Sequence, residues 1–390
     1  MQLSKRILNL NAGGSDGWDV FYRARNMIAD GVEVTELTIG EHDIRTHSKI
    51  LNAMHEAAKA GHTGYAVVPG TNALRDTVAA RLTERSGVPT TRDNVLITTG
   101  GQAALFAAHH AVLDEGDVAL ICDPYYATYP GTVRGVGATP RSVLTRPEAA
   151  FQPSFIDIAK QARGARSILV NTPNNPTGVV YAEETVNGIA RACREYDLWC
   201  ISDEVYDTQV WEGAHISPRT AEGMVERTLV VGSMSKSHAM TGSRVGWVAG
   251  PAEVVEHIIN LSTHTTYGVP GYIQDAATFA LNEGPGLEKE VGAPFERRRE
   301  IGKRLVEAQN LVKLVPSGGA MYLMLDIRAT GLSGEEFANQ LLDAHHIAVM
   351  PGESFGEAAA GHVRVAMTVD DEAFERALST VLSFAKEMTP

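Results

Sequence analysis

Lys236 lies just past the apolar, β-branched run Thr228-Leu-Val-Val231, in the turn-rich segment Gly232-Ser-Met-Ser-Lys-Ser-His-Ala-Met-Thr-Gly-Ser-Arg-Val-Gly-Trp247. A lysine delivered by a buried strand sits near low-dielectric surroundings, where its ammonium is disfavoured and its neutral amine becomes a nucleophile or Schiff-base former. Asp203 follows Trp199-Cys-Ile201 in the same manner. Its carboxylate either caps a helix or, if buried, needs a cation or a row of N–H donors, because an unpaired buried charge costs several kcal/mol. Arg244 carries the planar fork that suits phosphate better than any other side chain. Gly100-Gly101-Gln102, ahead of Ala-Ala-Leu-Phe-Ala-Ala, reads as a glycine turn opening a helix. The free N–H groups and dipole of such a helix attract a phosphate.

Other chemistries have less support. Ser233-Met-Ser-Lys236 matches the S-x-x-K pattern of serine acyl transfer, but the accompanying S-D-N and K-T-G triplets are missing. Neither G-x-G-x-x-G nor G-x-x-x-x-G-K-[ST] occurs, so dinucleotide and nucleoside triphosphate sites are unsupported. His109-His110 and His345-His346 are adjacent pairs whose side chains point apart, with no carboxylate at ligand spacing, and no metal site is expected.

The elements that must position these residues alternate between helix and strand from about 46 to 280. Val95–Thr98, Val118–Cys122, Ser167–Val170, Leu198–Ile201, Leu229–Val231 and Val245–Ala249 are short, mostly unalternating apolar runs. Strands covered by helices on both faces look like this, so the fold class is α/β with a mostly parallel sheet. Thr99–Gln102, Asp123–Tyr126, Asn171–Gly178, Ser202–Tyr206 and Ser233–Lys236 each directly follow one of these runs. Ligands bind beyond the carboxyl ends of parallel strands, so the five clusters are expected on one rim. Residues 1–45 read as an arm with turns at Asn11–Gly17, a helix near Phe21–Ala29 and a strand at Val34–Ile39. The tail from about 285 opens with a charged helix, Phe295–Ala308. It continues with a strand at Met321–Asp326, a helix from about Ser333 and a strand at Val363–Met367, a smaller α+β unit. The expected division is 1–45 as arm and part of the small domain, 46–284 as large domain and 285–390 as small domain.

The chain has 390 residues, 44% of them hydrophobic, enough for a large core in two or three domains. A net charge of -13 without a basic block argues against nucleic acid and anionic membranes as partners. Cys122, Cys193 and Cys200 show neither disulfide nor metal spacing. With no signal-like amino terminus and no membrane-length apolar run, a cytoplasmic location is expected.

Taken together, the motifs resemble those of the class I/II aminotransferases, pyridoxal phosphate (PLP) enzymes of fold type I, and in particular the bacterial aspartate aminotransferase-like branch. The resemblance rests on Gly40–Asp43, Gly64-Tyr65 with Gly70 and Leu74-Arg75, Gly101–Leu105, Asp123–Tyr126, Asn174–Gly178 and Asp203–Tyr206. Ser233–Lys236 with Arg244–Trp247, Pro316–Ala320, Pro351–Gly356 and Arg364 complete it in the family's order. It implies a seven-stranded sheet, covalent attachment of PLP to Lys236, and Asp203 against the pyridinium nitrogen. Tyr206 and Asn175 are implied at the ring's phenolic oxygen, and Tyr126 stacked on the ring face. Gly101, Gln102, Ser233, Ser235 and Arg244 would hold the phosphate, joined by Tyr65 of a neighbouring subunit in a homodimer with shared sites. Arg364, with Gly40 and Asn175, would grip the α-carboxylate of the substrate.

These roles imply transfer of an α-amino group from an L-amino acid to a 2-oxo acid by a ping-pong route. Aspartate with 2-oxoglutarate is the leading pair, ahead of aromatic, alanine or kynurenine donors. A PLP lyase or decarboxylase, or a non-catalytic sensor, are the other classes the resemblance allows. One departure bears on the substrate. Relatives of another subgroup read a distal carboxylate with an arginine from a partner-subunit loop, and the matching stretch Ser262–Gly271 has none. Arg23, Arg45 or the Asn11–Trp18 arm could substitute, while His264 and Tyr267 would suit an aromatic or polar side chain.

Overall fold

The computed structural model describes residues 1–15 and 17–389; Asp16, in the expected arm turn, and Pro390 lie outside the described residues. The described residues form twelve strands: β1 Thr35–Leu37, β2 Val95–Thr98, β3 Val118–Asp123, β4 Thr139–Leu144, β5 Ser167–Asn171, β6 Trp199–Asp203, β7 Thr228–Ser233, β8 Gly246–Ala249, β9 Lys313–Leu314, β10 Tyr322–Asp326, β11 Ile347–Pro351 and β12 His362–Ala366. They build a seven-stranded sheet in the order β2-β8-β7-β6-β5-β3-β4 and a five-stranded sheet in the order β1-β11-β12-β10-β9.

In the larger sheet β4, β3, β5, β6 and β7 run parallel, whereas β8 runs antiparallel to both of its neighbours, β7 and β2. Alternate residues of one strand feed opposite faces. Leu120 and Cys122 join a core with helices Phe155–Ala162 and Glu183–Glu195, while Ala119 and Ile121 join one with helix Gly101–Val112. Both faces are apolar, so the strands carry no hydropathy alternation. The carboxyl ends of β2, β3, β5, β6 and β7 therefore share one edge, and β8 starts there, with Gly246 opposite Ser233. That places Arg244, two positions before Gly246, on the same rim as Lys236.

The smaller sheet joins chain regions remote in sequence: β1 pairs with β11 in parallel register, Thr35 opposite Ile347. The expected helices are present, with shifted bounds: Asp19–Ala29, Gly334–His345 capped by Ser333 and Glu336, and Pro285–Glu307, ten residues longer at its start than the 295 expected. Strands β4, β9 and β11 were not anticipated. β4 is a largely polar edge strand containing Pro140, which an edge tolerates and a central strand does not.

Candidate active site

A cavity of about 430 Å³ opens at the rim of the larger sheet, and β12 of the smaller sheet contributes Arg364 to it. Gly40, Gly101, Gln102, Tyr126, Asn175, Asp203, Tyr206, Ser233, Ser235, Lys236, Arg244 and Arg364 all line it. Tyr65 does not. It stands on the surface, 94% exposed, edge-on to Tyr267 at 5.4 Å.

Lys236 sits on the short helix Met234–Ser237, whose cap Ser233 accepts at Oγ from the Ser235 N–H at 3.1 Å. Its Nζ donates to the Gly40 carbonyl, and its own carbonyl accepts from Gln209 Nε2 at 3.2 Å and His42 Nε2 at 3.0 Å. Burial pulls its pKa down to about 8; the Glu41 charge opposes this and Arg364 and Arg244 assist it. His42 is held neutral, its pKa near 4 through burial and then Lys236.

Asp203 is 4% exposed and no helix follows it, so it is no helix cap. Its Oδ2 accepts from the Tyr129 hydroxyl at 2.7 Å and its Oδ1 from the Val205 N–H at 3.2 Å. Burial raises its pKa to about 6, offset by these two donors. Among the described residues it has no cationic partner, so a buried carboxylate faces the cavity short of a counter-charge.

The two arginines also lack carboxylate partners among the described residues. Arg244 is exposed in a left-handed backbone conformation, φ 50°, and donates to Thr241 O at 2.8 Å. Its guanidinium lies over Gly100, where a Cβ would fall 2.5 Å from Nη2. Arg364 is 1% exposed, stacked between Tyr322 and Phe355 with its guanidinium carbon 4.4 Å from each ring centroid. It donates to Asn175 Oδ1 at 2.8 Å and to the Thr38 carbonyl, while its Nε has no partner among the described residues. Burial lowers its pKa from the ordinary arginine value.

Tyr206 shares a 2.9 Å hydrogen bond with the Tyr322 hydroxyl. Gly40 leaves room for that hydroxyl, since a Cβ there would fall 1.9 Å from it. Tyr126 packs edge-on to Tyr129 at 5.7 Å and Trp18 at 6.3 Å. The Gln102 side chain is committed to Thr132 at 2.8 Å and Thr128 at 3.1 Å. Tyr129 and Tyr322 are lining residues the sequence reading missed, whereas Asn171 lies in the expected rim cluster Asn171–Gly178 without having been given a role. Tyr129 was within reach of that reading, being the third tyrosine after β3, just beyond the cluster Asp123–Tyr126; Tyr322 carried no local signal.

Trp18, Phe21, Tyr22, Ile39, Leu105 and Glu41, with Val205 and Thr241, line the rest of the cavity. Of the side chains considered for reading the substrate, only Trp18 reaches it among the described residues. Arg23 is paired with Asp343 and Asn339, and Arg45, His264 and Tyr267 are not among the lining residues.

These groups fit PLP chemically: a low-pKa amine for its aldehyde, an unpaired buried carboxylate for its ring nitrogen, and an arginine with serine hydroxyls at a helix start for its phosphate. A family model for aminotransferase class I and II matches residues 32–381. The chain belongs to the class I and II aminotransferases. It is therefore a PLP-dependent transaminase, acting on amino acids and 2-oxo acids. The aminotransferase is 38% identical to an arginine–pyruvate transaminase of Pseudomonas aeruginosa, over 100% of this chain and 99% of the relative. It is 33% identical to a probable aspartate/prephenate aminotransferase of Thermus aquaticus, over 96% and 97%. An aspartate aminotransferase double mutant of Thermus thermophilus superposes with a TM-score of 0.92 at 32% identity, covering 98% of this aminotransferase and 100% of that chain.

Proposed function

We propose that Lys236 holds PLP covalently, that Asp203 answers its ring nitrogen, and that Arg364 takes the α-carboxylate of each substrate. The observation carrying this reading is one cavity that brings a lysine with pKa near 8 beside a buried carboxylate and two arginines that lack acidic partners. Bound PLP supplies an aldehyde that takes up the amino group and a ring that draws electrons from the α-carbon. Lys236 Nζ, its proton affinity lowered by burial so that a neutral fraction is within reach, takes the proton from the donor's α-carbon. Asp203 compensates positive charge on the ring, while Tyr206 and Asn175 serve its phenolic oxygen and Tyr126 its face. The backbone at Gly101 and Gln102, with Ser233, Ser235 and Arg244, holds the phosphate, and Gly40 and Asn175 flank Arg364.

The dimer reading gives Tyr65 to the neighbouring subunit's phosphate. Its support is Tyr65 standing exposed beside Val67 and Tyr267, also exposed. Residues 46–284 then form the large domain, with 1–45 and 285–390 closing over it when substrate binds. A cytoplasmic place in amino-acid metabolism accords with the absence of any membrane-crossing helix among the described residues.

The donor's side chain meets Trp18, Phe21 and Tyr22, with Glu41 nearby. Aspartate would need a further cation for its distal carboxylate, since Arg244 and Arg364 are otherwise engaged. Aromatic walls with an acid instead suit aromatic side chains and, through cation–π contact, guanidinium groups. The arginine–pyruvate relative supports the second of these. A panel of aspartate, phenylalanine, tyrosine, arginine, lysine and alanine, assayed with pyruvate and 2-oxoglutarate, decides among them. An aspartate preference would show that a cation reaches the cavity from a second subunit. The residue roles are tested by Asp203→Asn, for which large loss of rate with PLP retained is expected; wild-type turnover would refute the role given to Asp203.

A further inference from the structure

Among the described residues the Asp203 carboxylate has two hydrogen-bond donors, and only one of them is a side chain. The Val205 N–H belongs to the backbone; the other is the hydroxyl of Tyr129, 2.7 Å from Oδ2. Tyr129 opens the helix Tyr129–Gly135, is 2% exposed, and packs its ring against Tyr126 at an interplanar angle of 88°. The Asp203 backbone is fixed as well, its carbonyl accepting from Asn171 Nδ2 at 2.9 Å. The carboxylate is thus held at both oxygens on a pinned segment.

We propose that Tyr129 is a positioning residue that keeps Asp203 ionised and aimed, so that the proton between this carboxylate and the PLP ring nitrogen rests on the nitrogen. The inference depends on the pairing of Asp203 with the ring. A donor to a carboxylate stabilises its charged form and lowers its proton affinity. Burial works the other way at Asp203, and so does the neighbouring Glu204 charge. Glu204 is itself engaged by Ser202, Ser217 and His215, so its side chain gives Asp203 no relief. The Tyr129 phenol is a dependable donor, because burial and the Asp203 charge push its pKa well above the ordinary tyrosine value. Without that hydroxyl, the shared proton shifts from the ring nitrogen towards the carboxylate oxygen, no other bond changes, and the ring becomes a weaker electron sink.

Holoenzyme carrying PLP labelled with nitrogen-15 in the ring reports the proton's position directly by magnetic resonance. Tyr129→Phe removes one oxygen and keeps the ring that packs on Tyr126; circular dichroism checks that it is folded. Its ring-nitrogen signal is expected to move towards the unprotonated position. In parallel, kcat is expected to drop about tenfold at unchanged KM for donor and acceptor, the size expected from losing a hydrogen bond to a charged group. Asp203→Asn is the reference, with a fully unprotonated signal. A wild-type signal in Tyr129→Phe, alongside a shifted one in Asp203→Asn, overturns the proposal. A wild-type signal in both variants instead overturns the pairing of Asp203 with the ring, on which it rests.

Discussion

The cavity holds two arginines in contrasting settings. Arg244 is exposed on a tight turn at the start of β8, and its recorded partners, the carbonyls of Thr241 and Thr99, lie on that turn and on the adjoining loop after β2. Arg364 is buried between two aromatic rings, its hydrogen-bond partners on loops after β1 and β5. An exposed guanidinium keeps its hydration and adjusts to its anion; a buried one is committed to a single orientation before the anion arrives. The first suits a group that stays bound, the second one that must be captured in the same pose at every turnover.

The contrast can be broken by substitution. Arg364→Lys loses the planar fork and its stacking, and kcat/KM is expected to fall about 100-fold or more for every donor alike. Selective loss for dicarboxylates would move the α-carboxylate elsewhere. Arg244→Lys, in the hydrated setting, is expected to weaken PLP affinity by about 10- to 100-fold with kcat largely restored at saturating PLP. Fluorescence titration of the apoprotein measures this, and an unrestored kcat would make Arg244 more than a phosphate ligand. The pH dependence sharpens the electrostatic side. Lys236 has a depressed pKa near 8, so its reactive neutral fraction grows as pH rises. PLP uptake by the apoprotein should accelerate about tenfold per pH unit below 8 and level off above it. A plateau reached only near 10 would mean that burial leaves the amine unperturbed. The smallest effect is expected for Tyr322→Phe, which keeps the ring against Arg364 and removes the bond to Tyr206. About a fivefold loss of kcat at unchanged substrate KM is expected from steady-state kinetics, and a change in KM alone would assign Tyr322 to the carboxylate side.

The same contrast accounts for what the sequence disclosed. Lys236, Asp203 and Gly101 follow apolar runs, because parallel strands put their carboxyl ends on one rim, and the order of the runs alone places them together. Arg364 stood out only through resemblance: nothing in Val363-Arg-Val-Ala-Met367 tells that Thr38, Asn175, Tyr322 and Phe355 will surround it. β4 escaped notice because an edge strand need not be apolar, and Phe21 and Tyr22 because an amphipathic helix shows its apolar face without saying what that face meets. Tyr129 was legible as an aromatic after β3, but its bond to Asp203 spans 74 residues of chain.

Arg364 lies 326 positions from the carbonyl of Thr38 that it binds. During synthesis the stretch from Gly101 to Arg244 leaves the ribosome long before β12 does, and domains fold as they emerge. Lys236, Asp203 and Arg244 thus emerge well ahead of Arg364, so a chain ending before β12 would keep the proposed coenzyme groups of the larger sheet and lack the arginine proposed for the amino acid.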